Sequence, residues 1–209
     1  MRCSIKGAII PNDDKWMYDF LGMDATTPND VLAAINEADG EVLDVEINSP
    51  GGEIFAGSEI YAALQAYKGE VNIHIVGQAC SAASVIACAG HCDMVRTGMF
   101  MIHNVSGSAR GDHKAMAHSS KVLKQANKAI AAAYRAKTGK TEKELLESME
   151  AETWLTAEEA VAAGFVDEIA QPVNGLVAST GGLISAETAD RLRKQRMSAQ
   201  IEILKLYGG

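Results

Sequence analysis

Hydrophobic and polar residues alternate over 42–47, VLDVEI. Leu43, Val45 and Ile47 face one way, and Asp44 and Glu46 face the other. A period of two predicts a strand. VNIHIV, 71–76, repeats the pattern with Val71, Ile73 and Ile75. MFMIH, 99–103, reads as a further strand, and SIKGAII, 4–10, as the first. Between them the period lengthens. Thr27-Pro28-Asn29-Asp30 reads as an N-cap, a proline at the first helical position and an acid in the first turn, opening a helix that runs to Asp39 with Gly40 as its stop. Residues 53–67 place Ile60, Tyr61 and Leu64 on one face. Residues 81–89 are apolar all round, as a buried helix is. Residues 112–137 form a long amphipathic pattern with Leu123, Ile130 and Tyr134 on one side. TEKE, 141–144, and TAEE, 156–159, are capping boxes, and Gly164 closes the second helix. Strands alternating with helices predict parallel βαβ units in an α/β fold.

After Pro172 the chain becomes small and turn-rich, and a final segment, about 186–207, reads as a helix that is basic in its middle (Arg191, Arg193, Lys194, Arg196). The expected division is a domain over 1–172 and a C-terminal extension over 173–209. A chain of 209 residues suffices for one sizeable domain of this kind with a tail. Net charge is −8 with no long basic block, which disfavours nucleic acid as a partner. No apolar run reaches the roughly 18–20 residues that cross a bilayer, and the apolar core near the N-terminus is too short for a signal peptide. The expectation is a soluble, cytoplasmic protein with no membrane contact.

Cys3, Cys80, Cys88 and Cys92 mostly sit in or beside apolar runs, and they read as reduced thiols. Cys88 and Cys92 with His91 between them lack a second ligand pair at zinc-site spacing, so neither a metal nor another cofactor is expected.

Three stretches can carry chemistry. NSPGGEIFAG, 48–57, joins a strand to a helix through Pro50, Gly51 and Gly52. Paired glycines let backbone N–H groups point into a cavity. The Lys and Ser/Thr of a phosphate-binding P-loop are absent, which leaves an oxyanion hole or a plain tight turn. GQACSAASVIACAG, 77–90, puts Ser81 at a helix start, as an N-cap or as a nucleophile. Ser84 lies one turn inside and is expected to bond back to a carbonyl. Cys80 is a rival nucleophile with nothing nearby to lower its pKa. In MIHNV, 101–105, His103 ends an apolar strand, where α/β active sites gather. Of the other four histidines, His74 lies on a polar strand face, His91 in a turn, and His113 and His118 on the long helix.

Taken in order, NSPGG, GQACSAAS, MIH, a long helix and WLTAEEAVAAGFVDEI resemble the proteolytic subunit of the Clp protease family, over roughly residues 5–170. The pattern is most similar to the shorter Clp-like head maturation proteases of tailed phages and prophages. The resemblance implies a crotonase-like spiral of βαβ units, with 112–137 as a protruding handle helix through which homo-oligomeric rings stack. It also implies a serine endopeptidase acting on protein or peptide substrates, with Ser81 as nucleophile and His103 as general base. Gly51, Gly52 and Ala82 would supply the oxyanion hole. The family carries an acid, usually Asp, two residues before an aromatic; with Trp154 as the aromatic this is Glu152, and Glu150 is the fallback. Clp subunits begin with residues that face an ATPase partner, whereas this chain opens almost directly on its first strand. The expectation is therefore ATP-independent processing of capsid or scaffold proteins, in the host cytoplasm or the immature phage head. The alternatives are an ATPase-coupled Clp-type degradative peptidase, a crotonase-type acyl-CoA hydratase or isomerase, and a non-enzymatic capsid assembly scaffold.

Overall fold

The computed structural model describes residues 1–171 and 186–207. Eight strands form one sheet: β1 (Arg2–Ile9), β2 (Ala25–Thr26), β3 (Leu43–Gly52), β4 (Val71–Cys80), β5 (His91–Met94), β6 (Met99–Ile102), β7 (Thr153–Thr156) and β8 (Glu168–Ile169). The helices are α1 (Lys15–Leu21), α2 (Pro28–Ala38), α3 (Ile54–Ala66), α4 (Ala82–Ala87), α5 (His113–Thr138), α6 (Glu142–Glu150), α7 (Ala157–Ala162) and α8 (Ala186–Tyr207). The main path of the sheet is β2-β1-β3-β4-β5-β8. Every pairing is parallel except that of β6 with β7. Parallel neighbours need crossovers, and the helices supply them.

The predicted alternation is what the strands use. Leu43, Val45, Ile47, Ile73 and Ile75 are fully buried, while Asp44 and Glu46 remain partly open to solvent. Thr27 and Asp30 close a reciprocal capping box on α2, and Thr141 with Glu144 and Thr156 with Glu159 do the same on α6 and α7. The end of α2 differs by one residue from expectation. Asp39 itself takes the left-handed conformation at φ +43, and Gly40 follows at φ +91. His91 opens β5 rather than lying in a turn. Burial of α3 falls on Ile60 and Leu64, with Tyr61 half-buried.

β4 positions the rest. Its first half pairs with β5 and its second half, from Gln78 to Cys80, with β6. Its register with β3 also shifts, between the pair Ile47–Ile75 and the pair Ser49–Ala79. The end of β4 is therefore clasped between the glycine end of β3 and the apolar strand β6. The 26 residues of α5 span about 39 Å. Its buried residues are Ile130, Ala131, Ala133 and Tyr134, all in the C-terminal half, so the N-terminal half stands out from the body. The helix α8 is largely exposed and reaches α1 through Gln200, which donates to the Phe20 carbonyl. The expected boundary at 172/173 and the turn-rich stretch behind it lie outside the described residues.

Candidate active site

The three candidate stretches converge at the carboxyl ends of β3, β4 and β6, the edge where open parallel sheets bind ligands. Ser81 links β4 to α4 at φ +55, ψ −124, and its hydroxyl makes no capping bond. A serine held in a region that L-residues avoid carries strain of order 1–3 kcal/mol. Strand, strained serine, helix is the geometry of an exposed nucleophile at a sharp turn. The Ser81 N–H donates to the Met101 carbonyl at 3.0 Å, which ties the turn to β6. Two residues on, His103 Nε2 lies 2.8 Å from Ser81 Oγ, within reach for proton transfer.

The rival residues are engaged elsewhere. Cys80 is 2% exposed, and burial pushes its thiol up to about 11, so thiolate is scarce. Ser84 is fully buried and donates to the Ser81 carbonyl at 2.6 Å, the back-bond expected of it. His74 contacts Asp93 at 2.7 Å and Asp44 at 3.6 Å, and His91 contacts Asp167 and Glu168. His113 and His118 lie on the exposed half of α5. All four cysteines are free and buried. Among the described residues, no group of three or more His, Cys, Asp and Glu side chains is placed to hold a metal, and no helix is long and apolar enough to cross a membrane.

The glycine turn is packed directly on the serine. A Cβ at Gly51 would stand 2.5 Å from the Cys80 oxygen and 2.7 Å from Ser81 Cβ. The Gly51 N–H donates to Ser49 Oγ at 3.0 Å, and that hydroxyl donates to the Gly7 carbonyl at 2.6 Å. The amide of Gly51 is thus committed within the turn. Ala82 opens α4, where the N–H groups have no partner within the helix. Gly52 lines a cavity of about 170 Å³ with Ser81, His103, Ile54, Val105 and Tyr134.

The acids sit differently. Glu152 is exposed, with φ +50, in the position after the C-cap of α6 that glycine usually fills. Its Oε1 accepts from the Trp154 indole N–H at 3.3 Å, and Glu150 Oε2 accepts from Asn104 Nδ2 at 3.2 Å. Among the described residues, neither carboxylate hydrogen-bonds to His103. The β6–β7 register runs Met99–Thr156, Phe100–Leu155, Met101–Trp154, Ile102–Thr153. The ladder stops there: Glu152, at φ +50, precedes β7, and the Asn104 N–H donates instead to the Met149 carbonyl at 3.1 Å.

Two polar residues escaped the sequence reading. Ser49 had no signal beyond its place beside the glycines. Tyr134 appeared only as an apolar-face residue of α5, yet its hydroxyl meets Ser84 Oγ at 2.8 Å on the cavity wall.

Comparison with known proteins bears on the same residues. The family model for Clp protease matches residues 24–173, well over half of the chain. A point mutant of ClpP1 from Listeria monocytogenes has a similar fold, with a TM-score of 0.66 at 21% identity, covering 82% of this chain and 91% of that one. The expected α/β architecture with its parallel sheet is the one found, and with a family match that runs through the glycine turn, the strained serine, the histidine and β7, the chain belongs to the Clp protease family.

Proposed function

We propose that this protein is a serine endopeptidase with Ser81 as nucleophile, His103 as general base and Glu152 as the orienting acid. The observation that carries the reading is the 2.8 Å contact between Ser81 Oγ and His103 Nε2 on a strained turn whose hydroxyl serves no cap. Ser81 Oγ attacks the peptide carbonyl carbon while its proton passes to His103 Nε2. The imidazolium returns that proton to the leaving amine, and the acyl-enzyme is then opened by water through the same base. The oxyanion falls to the amides of Gly52 and Ala82. Gly51 was expected to join them, but its N–H is held by Ser49, and its part is to let the turn approach the serine. Support for Glu152 comes from the family resemblance and from its place just before β7, whose partner β6 ends just before His103.

The protease domain is taken as residues 1–172, with the helix α8 appended. The proposed assembly is a homo-oligomeric ring, with rings stacked through the projecting half of α5, which bears the exposed Met116 and Val122. The proposed substrates are capsid or scaffold proteins of a tailed phage, cut without ATP in the host cytoplasm or the immature head; this part rests on the sequence resemblance alone.

The test is labelling by a fluorophosphonate probe followed by peptide mapping. Wild type should be modified on Ser81, and Ser81→Ala should neither label nor cleave peptide. A reactive, active Ser81→Ala protein, or modification at Ser84, would remove the reading. A hydratase or a scaffold would leave the wild type unlabelled.

A further inference from the structure

The Ser81 carbonyl accepts three hydrogen bonds, from the Ser84 N–H at 2.9 Å, the Val85 N–H at 3.3 Å and the Ser84 hydroxyl at 2.6 Å. The first two belong to any helix start. The third comes from a side chain that is fully buried and also meets the hydroxyl of Tyr134, itself 1% exposed, at 2.8 Å. Each hydroxyl has one proton. Ser84 commits its own to an oxygen that can only accept, so the Tyr134 proton must point at Ser84. The direction is fixed: Tyr134 O–H to Ser84 O–H to Ser81 C=O. Burial drives the Tyr134 phenol far above its usual pKa, which keeps it a neutral donor.

A buried serine bonding back to its own helix is common and by itself means little. Two things differ here. The acceptor belongs to the residue at φ +55, ψ −124 that carries the nucleophile. The second donor comes from a separate helix, α5, fifty residues away. The peptide unit is planar, and in the trans form its C=O and N–H point in opposite directions. Holding the Ser81 oxygen therefore also holds the Ala82 N–H of the same plane.

We propose that Ser84 and Tyr134 are positioning residues that fix the Ser81–Ala82 peptide plane, so that the Ala82 amide meets the oxyanion formed on the substrate. The inference rests on the reading of Ser81 as nucleophile and Ala82 as oxyanion donor. Neither side chain touches the reacting atoms. Their effect is on the transition state, where charge develops on oxygen, and not on the bound ground state.

The experiment measures peptide hydrolysis, fluorophosphonate labelling rate and affinity for a peptide boronate in wild type, Ser84→Ala and Tyr134→Phe. All are read well below each protein's Tm, with folding checked by circular dichroism. Removing an oxyanion donor outright costs about 10²–10³ in kcat, so a misaimed donor should cost Ser84→Ala roughly tenfold or more. Its KM should stay within about twofold, because uniform binding is untouched. Tyr134→Phe keeps the ring and loses only the hydroxyl, so it should lose a few-fold. Boronate affinity should fall in step with kcat. If Ser84→Ala fails to fold, Tyr134→Phe decides alone. Wild-type kcat in folded variants, a loss confined to KM, or boronate affinity that does not follow kcat would overturn the proposal. A wild type that does not label would instead overturn the protease reading, which separates the two failures.

Discussion

Replacing Gly51 by Ala tests whether the glycine turn positions the serine. Gly51 sits at φ +90, and an added Cβ would meet the Cys80 oxygen at 2.5 Å, Ser81 Cβ at 2.7 Å and the Ala82 nitrogen at 3.0 Å. Those atoms are backbone or its first carbon, so no side chain can swing clear. Gly40 is the matched control. Its φ is +91, and a Cβ there would meet nothing within 4 Å. Both substitutions incur the left-handed penalty of roughly 1–2 kcal/mol for an L-residue. At roughly 2–4 °C per kcal/mol for a domain this size, Gly40→Ala should lower Tm by about 2–8 °C and leave activity intact. Gly51→Ala adds overpacking worth roughly 1–3 kcal/mol more. To regain a contact of about 3.5 Å the Cys80 carbonyl must retreat by roughly 1 Å, and the serine after it moves too. A displacement of that size typically costs about 10²-fold in rate. The assay is fluorophosphonate labelling of Ser81 beside thermal unfolding for both variants. Gly51→Ala that labels at the wild-type rate, or Gly40→Ala that loses labelling equally, would refute the argument.

Glu152→Gln should lower kcat for peptide by about 10²-fold or more, while Glu150→Gln stays within about twofold, since a misoriented imidazole is costly and a surface contact to Asn104 is not; equal, small effects would leave Ser81 and His103 acting as a dyad. Asp167 gives a pH-dependent outcome. Burial opposes its ionisation, but the Lys137 ammonium and the Cys92 N–H outweigh this and hold its carboxyl below the usual range. A carboxyl depressed on folding stabilises fully above its unfolded pKa of about 4, and that stability is lost as pH falls through the folded value. Asp167→Asn should therefore lower Tm clearly at pH 7 and progressively less toward pH 2, and a pH-independent difference would contradict this. Wild type should sediment as an oligomer at micromolar concentration, and Met116→Glu with Val122→Glu, on the projecting half of α5, should yield smaller species; a monomeric wild type would remove the ring.

The features readable from sequence were those set by local chemistry. Thr27, Thr141 and Thr156 announce helix starts because an N-cap and its third residue answer each other within one turn. Leu43, Val45 and Ile47 announce β3 because one face of that strand must be buried. The strands β2, β5, β7 and β8 have two to four residues each, too few for any period to show, and their pairing depends on partners far along the chain. The same division runs through the site. Ser81 and His103 stood out by place, one at a helix start and one at a strand end, but the distance between them depends on β4 parting from β5 to pair with β6. Nor does any pattern in GQACSAAS reveal that its serine takes a positive φ, since glycine is the usual signal for that conformation.

Glu152 poses the same problem in sharper form. A glutamate at φ +50 after a helix C-cap is locally disfavoured, and glycine there would relieve about 1–2 kcal/mol. Local propensity thus favours glycine at position 152, while the proposed role as orienting acid calls for a carboxylate. Position 152 directly precedes β7, whose partner β6 ends just before His103. If the carboxylate has no part in the reaction, Glu152→Gly should be more stable than wild type and equally active. If the acid orients the imidazole, Glu152→Gly should gain stability and lose kcat together, a stability–activity trade that a surface residue at a plain helix end would not produce.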